Sequence, residues 1–233
     1  MLWSAPRSRS TAFFRMMAER GDFTVVHEPF SYLAGSGYAD IAGERITAPG
    51  DLIDALSSLA CRGRVFAKET TGRRYPEVLA DQRFLGSGAV HTFLIRHPRE
   101  TIVSRHALNP AGGRDAIGFE SQYEIFAAVR RLARRTPVVV DSGDLIACPA
   151  AIIQAYCDRV GIDFRPAALT WQPADRPEWQ PSQRWHADVA ASTGFARTPA
   201  KPAAGLEQDP VLRGYLRYHL PFYEKLHERR LTA

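Results

Sequence analysis

The sequence predicts a three-layer α/β/α fold around a parallel sheet of about five strands. Three observations carry this. Short apolar runs rich in β-branched residues alternate with segments whose apolar residues recur at helical spacing. Polar and charged residues gather where four of those runs end, at Arg7, at His27-Glu28, at Lys68-Glu69-Thr70 and at Arg96. In parallel sheets such exits lie along one edge, where ligands bind. The chain has 233 residues, enough for one domain with a substantial core, and we expect a single domain over 1–233.

Met1-Leu2-Trp3 opens the chain as a strand. Ala5-Pro6 turns it into Arg7-Ser8-Arg9-Ser10-Thr11, and Phe13, Phe14 and Met17 then share a helix face that Gly21 stops. A helix N-terminus favours an anion, and two arginines and three hydroxyls beside it strengthen that preference. The loop reads as a phosphate cradle. It lacks the Gly-Lys pair of a nucleoside-triphosphate loop. Phe23–Val26 is the second strand and ends at His27-Glu28-Pro29. Residues 31–50 read as a loop over a pocket, and Asp51–Leu59 as a short helix. Arg64–Lys68 is the third strand, and Tyr75–Gln82 a helix. Ala89–Ile95 is a buried strand running into Arg96-His97-Pro98, with Arg99–Leu108 helical after Pro98. Asn109–Phe119 is a glycine-rich loop placed over an acceptor pocket. Ser121–Arg135 is a helix with Arg130, Arg131, Arg134 and Arg135 on its solvated face. Pro137–Val140 is the last strand, and Ile152 to Val160 a helix stopped by Gly161. Residues 165–205, rich in proline and holding Trp171, Trp179 and Trp185, read as an irregular lid. Trp185-His186 and Ser192–Phe195 are its candidate contacts. Two closing helices, Asp209–Leu220 and Phe222–Arg230, are separated by Pro221.

The loop Pro6-Arg7-Ser8-Arg9-Ser10-Thr11 resembles the 5′-phosphosulfate loop of sulfotransferases that use 3′-phosphoadenosine 5′-phosphosulfate (PAPS). It departs at Arg9, where that family more often has glycine. Arg96-x-Pro98-x5-Ser104 resembles the same family's 3′-phosphate site. The two motifs stand in the family's order, each at a strand-to-helix exit. The resemblance spans roughly residues 2–150 and implies a P-loop sulfotransferase fold, with Arg7, Ser8, Arg9, Ser10, Thr11, Arg96 and Ser104 binding PAPS. It places Arg7 at the catalytic lysine position and Lys68 against the sulfuryl group. Thr70 stands where the family has a histidine base, and threonine is no base near neutral pH. Glu28 is the first choice for the base, as in some bacterial members, with Glu69 and His27 as alternatives. Gly143-Asp144-Leu145 and Pro149 resemble a structural segment, so Asp144 is not a site residue.

The expected function is sulfuryl transfer from PAPS to a hydroxyl or amine of a small molecule, with no metal. A P-loop nucleotide kinase and a non-catalytic nucleotide-binding homologue are the alternatives. The net charge of +5 suits a polyanionic ligand, and no lysine/arginine block points to nucleic acid. No apolar run reaches membrane-spanning length. Cys61, Cys148 and Cys157 lack metal or redox spacing and suit reduced, mostly buried thiols of a cytoplasmic protein. A homodimer is compatible with this reading.

Overall fold

Alternation within five short strands sorts the core into two layers. In a computed structural model, which describes residues 1–133, 136–195 and 204–232, the strands are β1 (Leu2–Ser4), β2 (Thr24–His27), β5 (Val65–Thr70), β6 (Thr92–Ile95) and β7 (Val138–Asp141). All pair in parallel, in the order β2-β5-β1-β6-β7. Successive side chains point to opposite faces. Leu2, Phe66, Leu94 and Val140 therefore pack on one side, with α1 (Ser10–Glu19), α8 (Pro149–Val160), Trp171 and Trp179. Trp3, Ala67, Phe93 and Val139 pack on the other, with α3 (Pro49–Arg62), α5 (Pro98–His106), α6 (Phe119–Leu132) and α11 (Pro210–His227). This is the expected three-layer α/β/α arrangement, with five strands.

Several expected elements differ. Residues 31–50 hold most of α2 (Pro29–Ser36) and a hairpin of β3 (Ala39–Ile41) and β4 (Glu44–Ile46), rather than a loop. Ala42 (φ 55°) and Gly43 (φ 86°) make the left-handed turn of that hairpin. The third strand runs on to Thr70, so Lys68 and Glu69 lie inside it. The helix expected at 75–82 shrinks to α4 (Pro76–Ala80). The two closing helices are one, α11, with Pro221 inside it. Burial of Leu212, His219, Tyr223 and Leu226 along that helix outweighs the hydrogen bond that proline removes. Cys61 and Cys148 are exposed and Cys157 is buried, because the first two sit at helix ends and the third on the inner face of α8. The lid contains short 3₁₀ turns at Pro166–Leu169 and Pro177–Trp185, then α9 (Ala187–Ala190). Arg134, Arg135 and the lid's 196–203 lie outside the described residues.

Two devices fix the edge where the strands end. Buried Gln122 on α6 donates from Nε2 to the carbonyls of Trp3 (3.1 Å) and Leu94 (3.0 Å), tying β1 to β6 just before their exits. Gly118, at φ 89°, packs so closely under Thr71 that a Cβ would lie 2.5 Å from its carbonyl oxygen. The expected loop Asn109–Phe119 thus buttresses the floor below Pro6, and none of it lines the cavity described next. Among the described residues, no helix is long and apolar enough to cross a membrane.

Candidate active site

β1 leaves the centre of the sheet through a strained turn. Arg7 and Arg9 sit at φ 66° and 67°, a region that costs a non-glycine residue on the order of 1 kcal/mol or more. Arg9 is the N-cap of α1, and no side chain caps that helix. Its N-terminal dipole end is therefore open to an anion. Arg7, Arg9, Ser10 and Thr11 all line a cavity of about 680 Å³, a volume usual for small-molecule sites. Ser8 does not line it. Its hydroxyl is buried without a hydrogen-bond partner among the described residues.

The Arg7 guanidinium gathers three parts of the chain. Its Nε donates to Ser104 Oγ at 3.0 Å, and Nη1 donates to the Trp185 carbonyl at 2.7 Å. Asp188 lies 3.7 Å from its Nη2. Burial lowers the Arg7 pKa, and Asp188 opposes that shift. Arg96 donates to the Arg7 carbonyl (3.0 Å) and forks onto Glu100 at 2.8 and 2.6 Å. Ser104 is thus bonded to Arg7 rather than to Arg96, although all three line the one cavity. Sequence reasoning missed Arg105, one residue beyond Ser104. It lines the cavity, its Nε is buried without a hydrogen-bond partner among the described residues, and burial lowers its pKa.

The opposite wall comes from β2 and β5. Lys68 is buried, and its ammonium donates to Glu28 Oε1. Glu28 stands at the N-cap position of α2 without a capping side-chain bond, and its φ of 45° turns its side chain from the strand end into the cavity. Period-two alternation puts Lys68 and Thr70 on the cavity and Glu69 on the other side. Glu69 accepts from the N–H groups of Phe30 (2.8 Å), Ser31 (3.1 Å) and Thr70 (2.8 Å) and from Ser31 Oγ at 2.5 Å. It caps the first turn of α2 through space. Burial, and then Glu28, push its carboxyl up to about 7. His27 is enclosed, and burial and then Lys68 lower its pKa well below the ordinary value. Of the three alternatives for a base, Glu28 alone lines the cavity.

The lid closes the site. Trp185, His186, Ser192, Gly194 and Phe195 line the cavity with Asp188. His186 Nδ1 lies 2.9 Å from Thr11 Oγ1, and burial lowers its pKa to about 3. The sequence shows no metal-ligand cluster, yet the fold brings His27, Glu28 and His186 together, their ligand-type atoms within 4.8 Å of one another. His186 comes from the distant lid, which no spacing motif reveals. The cation that these residues meet within the chain is the Lys68 ammonium, on Glu28 Oε1 and 3.5 Å from His27 Nε2.

Among the described lining residues, six arginines and Lys68 face Glu28, Glu100 and Asp188, an excess of positive charge. A family model described as a sulfotransferase domain matches residues 1–230. Two Arabidopsis thaliana proteins named branched-chain-amino-acid aminotransferase-like protein 1 and protein 2 are 28% and 27% identical over 86% and 94% of this chain. The chain spans 37% and 41% of their lengths, and so matches a part of each. Among solved structures, it is similar to the sulfotransferase domain from the Synechococcus PCC 7002 olefin synthase (TM-score 0.49, 17% identity, all of this chain and 88% of that one). It is also similar to the sulfotransferase domain from the curacin biosynthetic pathway (TM-score 0.46, 16% identity, all of this chain and 91% of that one).

Proposed function

The chain belongs to the sulfotransferase domain family, and we propose that it moves a sulfuryl group from PAPS to a hydroxyl or amine of a small molecule. The observation that carries the donor reading is the Arg7–Thr11 turn: a strained loop rich in cations that leads into an uncapped helix on a cavity with excess positive charge. That donor set fits a nucleotide bearing several anionic groups. PAPS would supply an activated sulfuryl group on a 5′-phosphate, together with a 3′-phosphate.

The residues divide the work. Arg7, Arg9, Ser10, Thr11 and the first turn of α1 hold the 5′ end, with Arg7 stabilising charge on the phosphate oxygen. One fixed donor aimed at developing charge is worth roughly 3–4 kcal/mol. Arg96 and Ser104, on the same wall, hold the 3′-phosphate and set PAPS apart from ATP. Lys68 faces the sulfuryl oxygens and orients the Glu28 carboxylate. Glu28 takes the acceptor's proton, which contributes typically ~10²–10⁴-fold. Glu69 serves the fold, since its oxygens are spent on α2.

The test is incubation with PAPS and a panel of small hydroxyl and amine acceptors, followed by chromatography of released 3′-phosphoadenosine 5′-phosphate (PAP). Acceptor-dependent release that Glu28→Gln suppresses supports the reading. Acceptor-dependent release unchanged in Glu28→Gln would remove Glu28 as the base.

A further inference from the structure

A chain of hydrogen bonds crosses from β5 to the Arg7–Thr11 loop by way of the lid, and its direction follows from what each group is able to donate. The Lys68 ammonium can donate but not accept, so His27 Nε2 accepts from it across 3.5 Å. A neutral His27 then carries its hydrogen on Nδ1, 2.7 Å from the Tyr32 hydroxyl. Tyr32 passes its own hydrogen to Ser182 Oγ at 3.0 Å, closer than its other acceptor, the Glu178 carbonyl at 3.3 Å. Ser182 donates to His186 Nε2 at 2.9 Å, closer than its other acceptor, the Trp179 carbonyl at 3.3 Å. His186 therefore donates from Nδ1 to Thr11 Oγ1 at 2.9 Å. Thr11 keeps its own hydroxyl hydrogen to give, and it lines the cavity.

We propose that His186 is a positioning residue, which fixes the Thr11 hydroxyl as a hydrogen-bond donor to the anion held by the Arg7–Thr11 loop. The inference rests on the donor-site reading above. A hydroxyl whose lone pair is engaged by an N–H is a stronger and better-aimed donor, because chains of this kind polarise one another. The same link latches the lid, since Trp185 and Asp188 beside His186 meet Arg7. Tyr32 and Ser182 act through His186 and do not line the cavity.

The experiment is a double-mutant cycle on PAP affinity, measured by calorimetry on the whole chain. His186→Phe keeps the ring contacts with His27 (4.9 Å) and Trp179 (5.6 Å) while removing both hydrogen bonds. It is expected to weaken PAP about 10-fold in the parent and not at all in a Thr11→Val background. His186→Asn, whose amide reaches the Nδ1 position, should stay within about 3-fold of the parent. Tyr32→Phe, remote from the ligand, should cost about 2–3-fold. Equal losses from His186→Phe in both backgrounds, or no loss in the parent, would overturn the proposal and leave the donor reading standing. Failure of the parent chain to bind PAP would instead overturn the donor reading and this inference with it.

Discussion

The two walls of the cavity use charge in opposite ways. On the β1 and α5 wall, Arg7, Arg9, Arg96 and Arg105 crowd together, and Arg7 and Arg105 are desolvated enough for burial to lower their pKa values. On the β2 and β5 wall, Lys68 is matched to Glu28, and the histidines around them are held neutral by burial. The first wall is built for an anion from outside. The second is electrically closed, and it holds the base we propose, Glu28, against its own counter-ion. Under the proposed roles, binding and proton transfer are separate in space, and each wall has its own signature on mutation.

The largest effect should come from the closed wall. Glu28→Gln removes the proposed base with little change in shape, and sulfuryl transfer is expected to fall about 10²–10⁴-fold. PAP affinity should stay within about 3-fold in calorimetry, since the carboxylate is not a donor to the nucleotide. A loss of affinity equal to the loss of rate would erase the division. Arg7→Ala comes next. It should lower turnover about 10²–10³-fold and weaken PAP as well, because the role proposed for Arg7 is both to bind the nucleotide and to stabilise the leaving oxygen. Steady-state rates set beside binding constants would show whether the two losses occur together, and a loss of rate alone would contradict the role given to Arg7.

Glu28 and Glu69 sharpen the comparison at smaller scale. They approach one β-strand edge from neighbouring segments, yet one lines the cavity and the other is sealed against α2. With its carboxyl pushed up to about 7, folded Glu69 keeps a proton that the unfolded chain releases near 4.5. Its contribution to stability therefore falls as pH rises from about 4.5 to about 7, and is constant below that window. Glu69→Gln removes this titration. The melting temperature of the variant relative to the parent should climb by a few degrees as pH rises through the window. A difference that does not move with pH would mean that Glu69 is already ionised in the fold.

What the sequence made legible follows from locality. Arg7 and Arg96 stand at strand-to-helix exits, where an apolar run, a turn and a helix start are read together over a dozen residues, and Ser104 lies on the helix that follows Arg96. Lys68 and Glu69 were harder, because everything depends on where β5 stops. Two more strand residues put them on opposite faces, and no local signal marks that end. α2 was hidden because its cap is a carboxylate 39 residues away. His186 and Ser182 acquire meaning only when the lid folds onto Thr11 and Tyr32, across 175 and 150 residues. Pro221 misled for the reverse reason, since a local rule against helix lost to the burial of the α11 face.

The central claim is that the open wall is shaped for a nucleotide with a 3′-phosphate. Calorimetric titration with PAP in magnesium-free buffer, against ADP and 5′-AMP, tests it directly. We predict micromolar PAP binding, at least 10-fold tighter than either control, with that preference lost in Arg96→Ala. Equal affinity for PAP and ADP, or binding that appears only with magnesium, would contradict the account.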